Sequence, residues 1–242
     1  MSTLIRCLLL ASSFGFLYPV AAQDLIVAAA ADLSPMEKQL AAGFREASGL
    51  TVRFSFGSSG MLARQVAEGA PFDVYLSANE GFVKEVTAAG HLDPATVKSY
   101  ATGRIGLWSA DGKVKNVEDL DTVRTLSMAN PRHAPYGIAA EEFLKSTGSF
   151  GRVQSKLILA ENVRQAFEFA RTRNTDAVIT SWTLLYDKGG VLLPDSRHSP
   201  IRQSGGVLKS SKQPEAARKF MEFLTGPRGQ AILRAGGLFQ PK

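Results

Sequence analysis

Short apolar runs alternate with amphipathic stretches along most of this chain. "DLIVAAA" (Asp24–Ala30), "LTVRFSF" (Leu50–Phe56) and "FDVYLSA" (Phe72–Ala78) have the length and bulk of buried strands. After the first run, Met36, Leu40, Phe44 and Ala47 recur at helical spacing. "MLARQVAEGA" follows the second run and "EGFVKEVTAAG" the third, and each reads as a helix stopped by a glycine, Gly69 or Gly90. Three strand–helix units in a row predict a parallel sheet with right-handed crossovers.

The pattern restarts after Leu92. "RIGLWSA", "RTLSMAN", "SKLILAE" and "TDAVITS" read as strands, with helices at "PYGIAAEEFLKSTG" and "NVRQAFEFARTR". This makes a second α/β block from about residue 100 to about residue 200. "QSGGVLKSS" is a short strand candidate. The tail from Gln213 to Gly237 reads as two helices broken at Gly226-Pro227, with Ala217, Phe220, Met221 and Leu224 on one apolar face. Two α/β lobes are expected, and ligands of such folds favour the crevice at the carboxyl ends of the strands.

The first residues depart from this pattern. Arg6 is the only charge before Asp24, an apolar stretch runs to Leu17, and Val20 and Ala22 stand at signal-peptidase spacing. Residues 1–22 therefore read as a cleaved secretory signal, too short to anchor the chain in a membrane. Ile5-Arg6 before Cys7 argues against a lipid anchor. Cys7 is the only cysteine, so the mature chain has no disulfide and depends on its core for stability. Cleavage leaves 27 Lys and Arg against 22 Asp and Glu, spread without a basic run. That favours a solvated, mildly basic surface over nucleic-acid binding.

Candidate chemistry gathers at the strand–helix junctions. Ser34, Pro35 and Glu37 have the spacing of a capping box. Gly57-Ser58-Ser59-Gly60 precedes the second helix, and Asn130 to Gly137 leads into the fourth. Asn162 precedes the fifth, with Gln165 three residues on, and Thr180-Ser181 ends the last strand of the second block. Helix starts present unpaired N–H groups and partial positive charge. Several facing one cleft would hold a small anion without Lys or Arg. Each junction alone reads as a cap before it reads as a ligand site. The Gly-Ser-Ser-Gly loop stands out because two glycines permit close backbone approach. It is one residue short of a nucleophile elbow, and its candidate bases are only His91, His133 and His198. A Ser–His–Asp triad stays open on spacing alone. No metal-ligand or nucleotide motif is present.

"AAAADL", "FGSSGMLARQVAEGAPFDVYLSA", "NPRHAPYG" and "ENVRQAF", in that order, resemble the periplasmic molybdate-binding proteins of ABC transporters. The resemblance continues through "FLTGPRGQAIL". It implies a type II periplasmic-binding-protein architecture, with two lobes of mostly parallel sheet flanked by helices and an oxyanion in the cleft. The lobes would be residues 23–100 plus 204–242, and 101–203. It implies a monomeric, non-enzymatic protein of the periplasm that serves an inner-membrane permease and carries molybdate or tungstate without a cofactor. Molybdenum would enter only as the centre of the oxyanion, its oxygens held by Ser59 through hydroxyl and N–H, and by the backbone amides of Tyr136 and Val163. Ser58 is a further candidate from the same loop. Two positions depart from the family pattern. Asp32 stands where many members have serine. Either it offers its N–H while its side chain turns to helix-start amides or Arg132, or the ligand is a protonated oxyanion that donates to it. Thr180 stands where some members present a tyrosine hydroxyl. The alternatives are an anion of the sulfate or phosphate class, and a secreted serine hydrolase.

Overall fold

The computed structural model describes residues 24–241. The signal-peptide reading falls on residues outside that range. The apolar runs form two five-stranded sheets, each flanked by helices. The first contains β1 (Leu25–Ala30), β2 (Val52–Gly57), β3 (Val74–Ser77), β4 (Lys98–Gly103) and β10 (Ile201–Val207), in the order β2-β1-β3-β10-β4. The second contains β5 (Ile105–Trp108), β6 (Leu126–Ala129), β7 (Leu157–Ala160), β8 (Ala177–Ser181) and β9 (Val191–Leu192), in the order β7-β6-β8-β5-β9. In each sheet one strand runs against the rest. β10 is antiparallel to β3 and β4, and β5 is antiparallel to β8 and β9.

Those two reversed strands lie next to the crossings between lobes. Only Arg104 separates β4 from β5, and the chain returns between β9 and β10. The pairing of Ile201 with Gly103 carries the first sheet three residues beyond each boundary expected from the sequence. β4 itself, "KSYATG", went unread because it is polar at its start and short of β-branched residues. Strand β10 is longer than expected, from Ile201 rather than Gln203.

Helices α1 (Glu37–Ser48), α7 (Pro214–Thr225) and α8 (Pro227–Ala235) cover one face of the first sheet. Phe44 is fully buried there, edge-on to Phe220 at 5.2 Å between ring centroids. Helices α2 (Ser59–Ala67) and α3 (Glu80–Ala88) cover the other face through Leu62, Val66, Val83 and Val86. In the second lobe α4 (Pro135–Ser146), the short α5 (Phe150–Val153) and α6 (Val163–Arg171) pack on the sheet around Phe143, Leu144, Ala166 and Ala170. The capping box expected at Ser34 does not form. Residues Ala31–Met36 are a 3₁₀ turn, α1 starts after Met36, and no side chain caps either. Pro35 lies inside that turn, where its missing N–H costs no hydrogen bond of an α-helix.

Truncating Phe44 to Ala should lower unfolding free energy by about 3–5 kcal/mol in urea melts, the cost of a large buried cavity. A loss below about 1 kcal/mol would mean that this face of the lobe is not packed as described.

Candidate functional site

Four helix starts converge between the lobes. The pocket between them is lined by Ala30–Asp32, Gly57–Ser59, Ala78, Ala134–Tyr136, Asn162 and Val163. Among the described residues, no Lys, Arg or His lines it. Its polarity comes from backbone and hydroxyl groups, the Asn162 amide and the Asp32 carboxyl.

The junctions use up most of their N–H groups locally and leave a few over. At α6, the Asn162 side chain accepts from Arg164 N–H at 3.0 Å and Gln165 N–H at 3.1 Å. Gln165 reaches back to accept from Glu161 N–H at 2.7 Å. That reciprocal cap leaves the N–H of Val163 without an acceptor among the described residues. At α4, Pro135 has no N–H to satisfy, and Gly137 N–H donates to the Ala134 carbonyl at 2.9 Å, so the Tyr136 N–H is left over. At α2, Gly60 N–H donates to the His133 carbonyl at 2.9 Å, and the N–H of Ser59 is left over. Ser59 is held on both sides. Its carbonyl accepts from the Tyr75 hydroxyl at 2.8 Å, and its hydroxyl oxygen accepts from Ala78 N–H at 2.9 Å. The Ser59 hydroxyl hydrogen is therefore free to donate into the cavity.

Ser58 and Thr180 are used differently. Ser58 lines the cavity, but its hydroxyl pairs with His133 Nδ1 at 2.9 Å, across the cleft. Burial lowers the His133 pKa, which keeps the ring neutral. No carboxylate hydrogen-bonds that ring among the described residues, so the pair lacks the third member of a triad. Thr180 lies behind the lining, where its hydroxyl donates to the Val163 carbonyl at 2.9 Å. It supports the α6 junction and does not face the cavity.

Asp32 differs most from the reading of the sequence. Its side chain turns neither to helix-start amides nor to Arg132. Oδ2 accepts from the Tyr136 hydroxyl at 2.8 Å and from Gln203 Nε2 at 2.6 Å. Gln203 Nε2 also donates to the Tyr136 oxygen at 2.8 Å. Oδ1 is buried without a partner. Burial pushes the Asp32 carboxyl up to about 6, against the lowering effect of Gln203 and Tyr136. Burial, then the Asp32 charge, holds the Tyr136 phenol well above its usual range, so it stays a donor. Tyr136 thus serves through its hydroxyl as well as its amide. Gln203 gave no signal in the sequence, being one polar residue in a strand. Gly103 belongs to the same arrangement, since a Cβ there would come within 2.2 Å of the Tyr136 hydroxyl oxygen.

A family model described as bacterial extracellular solute-binding protein matches residues 25–239. The chain belongs to that family. It is 34% identical over 236 residues to the molybdate-binding protein ModA of Rhodobacter capsulatus, covering 94% of this chain and 93% of that one. The solved Azotobacter vinelandii periplasmic molybdate-binding protein superposes with a TM-score of 0.83 at 28% identity, over 90% of this chain and 100% of that one. Both of these relatives are molybdate-binding proteins. The sulfate-binding protein SubI of Mycobacterium tuberculosis shares the fold, with a TM-score of 0.73 at 16% identity over 89% of this chain and 86% of that one.

Replacing Asn162 by Ala should cost about 1 kcal/mol of stability in denaturant melts, because two helix-start N–H groups lose their acceptor. An unchanged midpoint would show that water serves that helix start equally well.

Proposed function

We propose that this protein captures molybdate, and tungstate with it, in the inter-lobe cavity and delivers the anion to the permease of an ABC transporter. The observation that carries the proposal is the ring of leftover donors. The N–H groups of Ser59, Tyr136 and Val163 and the hydroxyl of Ser59 surround a space without a cation. Helix-start donors in a dry cavity stabilise a dianion through directed hydrogen bonds and partial charge. They can release it again, because no fixed opposite charge traps it. The names of the relatives support molybdate over other tetrahedral anions.

Ser59 would donate through N–H and hydroxyl, and Tyr136 and Val163 through N–H alone. The protein needs no cofactor in this reading, since molybdenum arrives as cargo inside its oxyanion. Export by the N-terminal segment to the periplasm and action as a monomer complete the reading. The lobes would close over the anion, which fits the cross-lobe contacts of Gly60, Ser58 and Asp32.

Calorimetry with molybdate, tungstate, sulfate and phosphate should show tight binding of the first two only. Sulfate binding of equal strength would overturn the proposal. Ser59→Ala should weaken molybdate by about 1–3 kcal/mol, as expected for a charge-assisted hydrogen bond. Unchanged affinity would remove Ser59 from the site. Solution scattering should show compaction on adding molybdate, and a constant radius would rule out closure.

A further inference from the structure

Asp32 is a poor neighbour for a dianion. It lines the cavity, it is fully buried, and an ionised carboxylate there would repel the ligand at short range. Yet its contacts are organised. Oδ2 already receives two hydrogen bonds, from Tyr136 and Gln203, and Oδ1 receives none. A proton added to this carboxyl therefore belongs on Oδ1, the unpartnered oxygen of a residue that lines the cavity. With that proton, the orphaned oxygen becomes a donor like the others around the cavity.

We propose that Asp32 enters the closed, loaded site as a neutral acid whose Oδ1–H donates to the bound oxyanion, so that capture of each anion takes up one proton. The inference rests on the oxyanion reading above and adds a proton to it. Among the described residues, no basic group pairs with Asp32. Of the elements packed against its turn, α6 contributes Arg164 and Glu168, and α1 contributes Glu37. These line an outer groove beside Ser34 and Pro35, together with Asp187 and Lys188. β2 contributes Arg53, which pairs with Asp24. β4 contributes the buried phenol of Tyr100, and His133 lies beyond Ser58. Burial already favours the neutral form, and a neighbouring dianion pushes in the same direction.

The same geometry sharpens selectivity. With Asp32 neutral, the groups facing the ligand are donors. Molybdate, tungstate and sulfate offer four acceptor oxygens at neutral pH. Monohydrogen phosphate carries an O–H that would find no acceptor, and an unmade buried hydrogen bond is costly.

The sign of the pH dependence follows from linkage. The loaded form holds a proton that the open, solvated carboxyl does not, so binding strengthens as pH falls toward the bound pKa and below it. Titration of molybdate at pH 7–8 in two buffers of different ionisation enthalpy should give close to one proton taken up per anion. Affinity should fall roughly tenfold for each pH unit raised in the window where uptake is complete. Asp32→Asn mimics the neutral acid, with its carbonyl toward Tyr136 and Gln203 and its NH₂ toward the ligand. That variant should bind molybdate at least as tightly at pH 8, without proton uptake. Binding by the natural protein with no buffer dependence would overturn the inference and leave the molybdate proposal standing. Undiminished uptake in Asp32→Asn would move the proton to His133 or to the anion and overturn it too. Tight phosphate binding that disappears in Asp32→Asn would make Asp32 an acceptor and reverse the assignment. Absence of heat with both molybdate and tungstate would sink the underlying reading itself. Should the variant fail to fold, infrared difference spectra of the natural protein decide the matter. A carboxylic-acid carbonyl band should appear when molybdate is added, and its absence would overturn the proposal.

Discussion

A buried backbone N–H without an acceptor costs free energy, and among the described residues those of Ser59, Tyr136 and Val163 find no acceptor beside one cavity. Everything near the cleft is arranged so that those three survive. Asn162 takes the second and third N–H groups of its helix and leaves the first. Pro135 removes a donor that would have competed. The Ser58 hydroxyl, which could have capped its own helix, is drawn across to His133 instead. In the function proposed above, an anion, rather than protein or bulk water, is the partner that completes the unpaired groups.

The same residues tie the lobes together. Gly60 donates from the first lobe to His133 in the second, and a Cβ on Gly60 would lie 2.9 Å from that carbonyl oxygen. The close approach that this loop's glycine permits is therefore to the opposite lobe. The Thr183 hydroxyl donates to the Asp32 carbonyl at 2.7 Å from the other side of the cleft. Asp32, Tyr136 and Gln203 join the first helix start, the second lobe and the crossing strand β10 in one buried cluster. Closure and ligand contact are thus not separable events. The groups proposed to meet the anion are the neighbours of groups that join the lobes.

The placement of the crossings gives this coupling its leverage. β4 and β5 are nearly continuous, and β10 returns beside β4. Gly103 ends β4 and leaves room for the Tyr136 hydroxyl, so the hinge region and the cluster at Asp32 share a boundary.

Much of this was legible along the chain. Alternation of apolar runs with helical spacing determined two α/β lobes, the order of most elements, and the junctions where backbone donors would appear. Pro135 and Asn162 declared their helix starts, because caps are local and read within four residues. Ser34 did not, since a 3₁₀ turn moved the helix start past it. What the sequence could not decide was where side chains 75 or more positions apart would meet. Asp32 with Tyr136, and Asp32 with Gln203, are separated by 104 and 171 residues. Ser58 with His133 is separated by 75. Helix caps and strand periodicity are set by neighbours in the chain, so the sequence alone carries them. The ionisation of a carboxyl, and the free hydrogen of Ser59, depend on burial and partners that exist only once both lobes have folded against each other.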